Sequence, residues 1–111
     1  MATMAGQVAL AAGVLNSNII VGQVYEILPF DCMVEIALVS SVAGTRSQVT
    51  CDTEVLLQDV GQENVLVKAT QPIYPDDYLV EGVCAAGARL IISGFNAAAA
   101  TLRYNVRISP L

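Results

Sequence analysis

Histidine and tryptophan are absent from the 111 residues, lysine occurs once, and the aromatic side chains are four tyrosines and two phenylalanines. Each shortage removes a class of function. Without histidine the commonest general base and imidazole metal ligand is missing. Neither a Ser-His-Asp nor a Cys-His arrangement can be built. So few aromatic faces leave little on which bases or sugars could stack. Five Lys and Arg stand against ten acids, a net charge of −5, and no cluster of cations is available for phosphate. Direct nucleic-acid binding is therefore not expected. No phosphate-cradling GxxxxGK[ST] or GxGxxG sequence occurs. No apolar run reaches the roughly 18 residues of a membrane helix, since Val8 to Leu15 is stopped by Asn16, Ser17 and Asn18. No Lys or Arg precedes Arg46, so a secretory leader with its basic start is not expected either. Cys32, Cys51 and Cys84 form no CxxC and are too few for a disulfide framework. They are expected as small buried residues, reduced, in a protein made in a cytoplasm.

What the chain does have is apolar surface. Hydrophobic residues make up 55% and charged residues 14%, where a typical domain is about 25% charged. A chain of this length is one domain, and one so small cannot hide that much apolar area in its own core. Some is left for a partner. The charge is also divided: residues 1–81 carry all ten acids with Arg46 and Lys68, a net of −8, while residues 82–111 carry Arg89, Arg103 and Arg107 and no acid, +3.

The hydrophobic period is two through most of the chain, which is the signature of strands. From Thr101 to Ser109, Leu102, Tyr104, Val106 and Ile108 point one way, and Thr101, Arg103, Asn105, Arg107 and Ser109 the other. This predicts a half-buried strand ended by Pro110. Met33 to Val39 and Arg46 to Val55 alternate as well, and Val21 to Leu28 and Val65 to Ala69 are rich in β-branched residues. Arg89 to Asn96 is apolar on both faces. Turn sequences separate these runs at roughly the 8–12-residue spacing of sandwiches and barrels. Residues 1–13, apolar and uncharged, read as an arm that orders against a neighbour or as a first edge strand starting near Gln7. The expectation is an all-β fold: an antiparallel β-sandwich over residues 14–111, jelly-roll or another Greek key, of seven or eight short strands.

Among polar residues, Asp76, Asp77 and Glu81 form the best candidate group. Two adjacent carboxylates could hold a hard cation such as calcium, but the spacing is not that of an EF-hand and Pro75-Asp76-Asp77 is also ordinary turn chemistry. No catalytic, cofactor-binding or metal residue is assigned. Nothing around Lys68 suggests a tuned amine, and the chain is not expected to be an enzyme.

The segment from Ile73 to Leu111 resembles the end of small virion proteins of DNA bacteriophages, the β-sandwich coat, cement or decoration subunits. The likeness lies in the turn Pro75-Asp76-Asp77, the strand entry Ala85-Ala86-Gly87-Ala88-Arg89-Leu90-Ile91-Ile92, the loop Asn96 to Ala100 and the closing strand Thr101 to Leu111. Val34 to Leu38 followed by the Gly44-Thr45 turn is compatible with it. The resemblance implies a structural virion subunit, made in a host bacterial cytoplasm. It would associate with copies of itself as a trimer or larger assembly, and with a major capsid protein. The alternative is a non-enzymatic binding module, receptor-binding, adhesin-like or carbohydrate-binding, for which Tyr74 and Tyr78 beside Asp76 and Asp77 would be the contact cluster. For an assembling subunit the expected contacts are residues 1–13 and the strand Arg89 to Asn96. Arg103 and Arg107 would then meet carboxylates such as Asp52 or Glu54 of a neighbour, setting register more than affinity.

Overall fold

Where the sequence alternates most strictly the strand is longest. In the computed structural model, which describes residues 2–111, Ala100–Pro110 forms a single strand of 11 residues, β8. Leu102, Val106 and Ile108 are fully buried and Tyr104 nearly so, while Arg103, Asn105 and Arg107 between them are half-buried on the other face. β8 pairs antiparallel with β1 (Ala2–Leu10) on one side and with β2 (Cys32–Ser40) on the other. Beyond β2 lie β6 (Val80–Cys84), antiparallel to it, and β5 (Leu66–Val67), parallel to it. The second sheet has three strands, β4 (Glu54–Leu57), β3 (Val49–Cys51) and β7 (Leu90–Ile92), in that order. The described residues are thus all-β, eight strands in two sheets and no helix, so no helix among them could cross a membrane.

One hydrophobic cluster draws on both sheets. The large sheet supplies Val34, Ile36, Leu102, Val106 and Ile108, and the small one supplies Val49, Cys51, Leu90 and Ile92. Inward residues follow the period-two rule on β3, β6, β7 and β8, whereas β4 packs the consecutive Leu56 and Leu57 against the core. On β2 the outward residues Ala37 and Val39 are fully buried too, as their apolar character on that face suggests.

The pairings are nested. β1 meets β8, residues 13–28 meet β7, β2 meets β6, and β3 meets β4. The second pair is held by isolated bridges, Asn16 to Gly94 and Ile27 to Arg89, and by backbone bonds such as Ile19 N–H to Ile92 O at 2.7 Å.

Several sequence expectations change. Arg46 to Val55 is not one strand, because Asp52 turns the chain with φ 54°, a left-handed conformation that Asp tolerates. Val55 therefore lands on the exposed side, half exposed, out of step with Val49 and Cys51. Val21 to Leu28 is a series of turns rather than a strand, and Val65 to Ala69 shrinks to the two residues of β5. Arg89 to Asn96 keeps a ladder only over Leu90–Ile92, followed by bridges at Gly94 and Phe95. β6 was not expected. Its Gly82 breaks the apolar pattern because Leu56 lies where a Cβ would stand. The strands are not uniformly short, and β5 adds a parallel contact. Residues 2–10 form an edge strand within this chain, beginning at Ala2 and not near Gln7. Met4 and Leu10 of that strand belong to the core cluster, so the segment is more than an appendage, and deleting it removes core contacts.

Candidate functional site

The acidic trio expected at residues 76–81 does not converge. Asp77 is tied down within its own loop: Lys68 Nζ lies 2.6 Å from its Oδ2, and the Ile73 N–H donates to the same oxygen at 2.8 Å. Those two bonds hold its carboxyl below the usual range, the lysine first. Asp76 is exposed in the turn. Glu81 lies on β6 directly opposite Glu35 of β2, which in turn faces Arg107 of β8. Among the described residues no three His, Cys, Asp or Glu side chains are grouped to hold a metal ion.

Tyr74 and Tyr78 pack edge to face with ring centroids 4.9 Å apart. Tyr74 also receives the Arg107 guanidinium 3.8 Å from its ring centre, a cation–π contact. Arg107, expected to reach toward a neighbour, is thus engaged at home. Its Nε is buried without a hydrogen-bond partner, as is Asn105 Oδ1. Asp52 is used locally too, its Oδ1 accepting the Arg89 N–H at 3.0 Å.

Two groupings were not foreseen. The cysteines, 19 and 33 positions apart in sequence, converge in the core. Cys32 and Cys84 are directly opposed on β2 and β6. Cys51 of the other sheet is close enough to act on the Cys84 thiol and help raise it. All three are free and buried, and burial is the main cause that pushes each thiol upward, Cys84 furthest. Thiols so raised are poor nucleophiles. The second grouping is a buried polar clasp. Thr45 Oγ1 donates to Ser40 Oγ at 2.6 Å, and Asn96 Nδ2 donates to Thr45 Oγ1 at 2.8 Å and to Ala43 O at 3.1 Å. It fastens the loop after β2 to the loop before β8. It contains no ionisable group and satisfies backbone carbonyls that would otherwise be orphaned.

The surface holds more apolar material than the interior arrangement requires. Val14, Leu15, Val21, Val24 and Ile27 are all more than half exposed along residues 13–28, with Val24 at 73%. Val60, Ile73, Leu79 and Val83 add to them elsewhere. Ile91, on the outer face of β7, is half-buried in an open depression of about 250 Å³ lined by Leu15, Ser17, Gln48, Thr50, Asp59 and Ser93. The strand singled out as apolar on both faces therefore has Leu90 and Ile92 in the core and Ile91 facing this depression.

No family model, curated protein or solved structure matches the chain.

Proposed function

We propose that the protein is a structural subunit, of the kind that coats or cements a bacteriophage capsid, and that its two sheets are the halves of a jelly roll. Nested pairing supports the fold. Taking residues 13–28 as an irregular second run, and leaving β5 aside, the runs pair first with eighth, second with seventh, third with sixth and fourth with fifth. That is the pattern of one long hairpin folded over into two sheets, and jelly rolls serve as viral coats, among other uses. Fold alone does not assign function.

The observation that carries the functional reading is exposed apolar area without a site to explain it. Large aliphatic side chains stand in solvent along residues 13–28 and on several loops, and surfaces of that kind mark contacts with other proteins. Of the candidate polar residues, Asp77 is meanwhile spent on Lys68 and Tyr74 on Arg107, within the molecule. The work of such a subunit is burial between copies and against a shell protein, at roughly 25 cal/mol per Å² of apolar area before association costs. Many weak contacts then act together through symmetry.

Light scattering on the purified protein tests the reading. A discrete oligomer or closed shell is expected. A monomer of 11.7 kDa at every concentration and salt level would remove it.

A further inference from the structure

The sheets have four kinds of margin, and three of them are closed or guarded. The free side of β7 is occupied by residues 13–28, through Ile19 N–H to Ile92 O, Leu28 N–H to Ala88 O and Leu90 N–H to Glu26 O. β4 is four residues long and carries Glu54, and β5 has two residues. β6 carries Glu81 on its exposed face. β1 is different. It runs nine residues, contains no charge and no proline, and pairs on one side only, with β8. Natural edge strands are blunted by shortness, charge, proline, bulges or a covering segment, and β1 has none of these. A row of backbone N–H and C=O groups along its outer side wants the complement that another strand supplies.

We infer that β1 is a two-fold interface, pairing antiparallel with β1 of a second copy of this chain to make one continuous sheet. The inference builds on the reading of the protein as a self-associating subunit and names the surface. Charge selects the second copy as occupant. The molecule is acidic overall, yet none of its ten acids lies on β1 or β8, and β8 carries Arg103 and Arg107. Two copies of a −5 protein approach each other at least cost along this acid-free margin. An uncharged strand is also what self-pairing demands, because like charges directly opposite each other are destabilising.

Register follows from the pleat. A sheet keeps its two faces only if inward residues oppose inward ones. Full overlap of Ala2–Leu10 with itself then places Gly6 on the dyad, with Met4 opposite Val8 and Ala5 opposite Gln7. Met4 is buried and Val8 half-buried on the core side, while Ala5 and Gln7 are exposed on the outer side. The dyad position is already specialised. Tyr104, directly across from Gly6, leans over it so closely that a Cβ there would lie 2.7 Å from the tyrosine hydroxyl. Exposed Val14 and Leu15 follow directly beyond the end of the strand.

The test is charge exchange on the outer face. A variant carrying Ala5→Lys and Gln7→Lys sets four lysines around the dyad, and one carrying Ala5→Glu and Gln7→Glu sets four glutamates there. Both sites face solvent in the single chain. Wild type is expected at an even number of copies, and each variant alone at half that mass. The mixture of the two should return to the wild-type mass as a one-to-one complex. Hydrogen exchange on the wild-type protein needs no variant: alternate amides of β1 should become protected as concentration rises. Loss of mass in each variant with recovery on mixing, or concentration-dependent protection, supports the pairing. A discrete trimer, or variants that keep the wild-type mass, overturns it while leaving a self-associating subunit intact. A wild-type monomer at all concentrations overturns both.

Discussion

β8 and the segment 13–28 each line one sheet, yet different chemistry holds them. β8 is bonded along both sides, and every second side chain is in the core. Residues 13–28 bury Ile19, Ile20 and Leu28 and leave most other side chains in water. With no sustained alternation the backbone turns, and polar side chains take over the work of a ladder. Asn18 Oδ1 accepts the N–H groups of Ile20 and Ile92 at 3.2 and 3.3 Å. Glu26 accepts from Gly22 N–H, Asn18 Nδ2 and the Arg89 guanidinium. The difference teaches that a two-sheet architecture tolerates one poorly patterned run if its neighbour is regular and its carboxamides are well placed.

Substitutions can break that comparison or sharpen it. Leu102→Ala in β8 should cost about 2–5 kcal/mol, because a fully buried leucine leaves a cavity in the core between the sheets. Urea unfolding measures it. Asn18→Ala should cost about 1–3 kcal/mol, the toll of leaving backbone N–H groups without acceptors. If the two losses were equal, or their order reversed, side-chain bonding and not core burial would be the main support of the fold. Smaller still is the acid response. Glu26 and Asp77 are held below their ordinary values of 4.5 and 3.8, Glu26 by Gly22 N–H and then Arg89, Asp77 by Lys68. Such carboxylates stabilise the fold above those ordinary values, and the contribution is lost as pH falls through the lower folded ones. Melting temperature should therefore drop on acidification below about pH 4.5, and Glu26→Gln with Asp77→Asn should flatten that limb. An unchanged acid limb in the double variant would show that both carboxylates are idle. The least effect is expected from Thr101→Ala on the outer face of β8, within about 0.5 kcal/mol.

How much was legible in advance follows the same division. β8 and β2 could be drawn from the sequence nearly to the residue, since burial on one face writes itself as alternation. β3 and β4 read as one strand in the sequence because Val49, Cys51, Thr53 and Val55 keep the rhythm straight through a turn, and an aspartate at φ 54° leaves little trace in a pattern. β1 was obscure for the opposite reason: alanine, threonine and glycine give no contrast between faces, and its pairing comes from β8. Asp76, Asp77 and Glu81 suggest a site in the sequence because they are neighbours along the chain, and they are not neighbours in the fold. Asp77 instead meets Lys68, and Glu81 goes to another strand. The cysteine convergence could not have been read without the topology that sets β6 against β2.

The nested pairing has a consequence for how the chain reaches this state. β8 comes latest of the eight strands in sequence, yet it fills the middle of the large sheet, between β1 and β2. Ala2 sits across from Ile108, so the first contacts of that sheet to be encoded are among the last that can close. Until residues 100–110 have left the ribosome, β1 and β2 each lack the partner they share. Topologies dominated by such distant pairings fold slowly, and the waiting strands are open to the wrong neighbour. A subunit meant to join copies of itself would have to finish its own sheet before it met another.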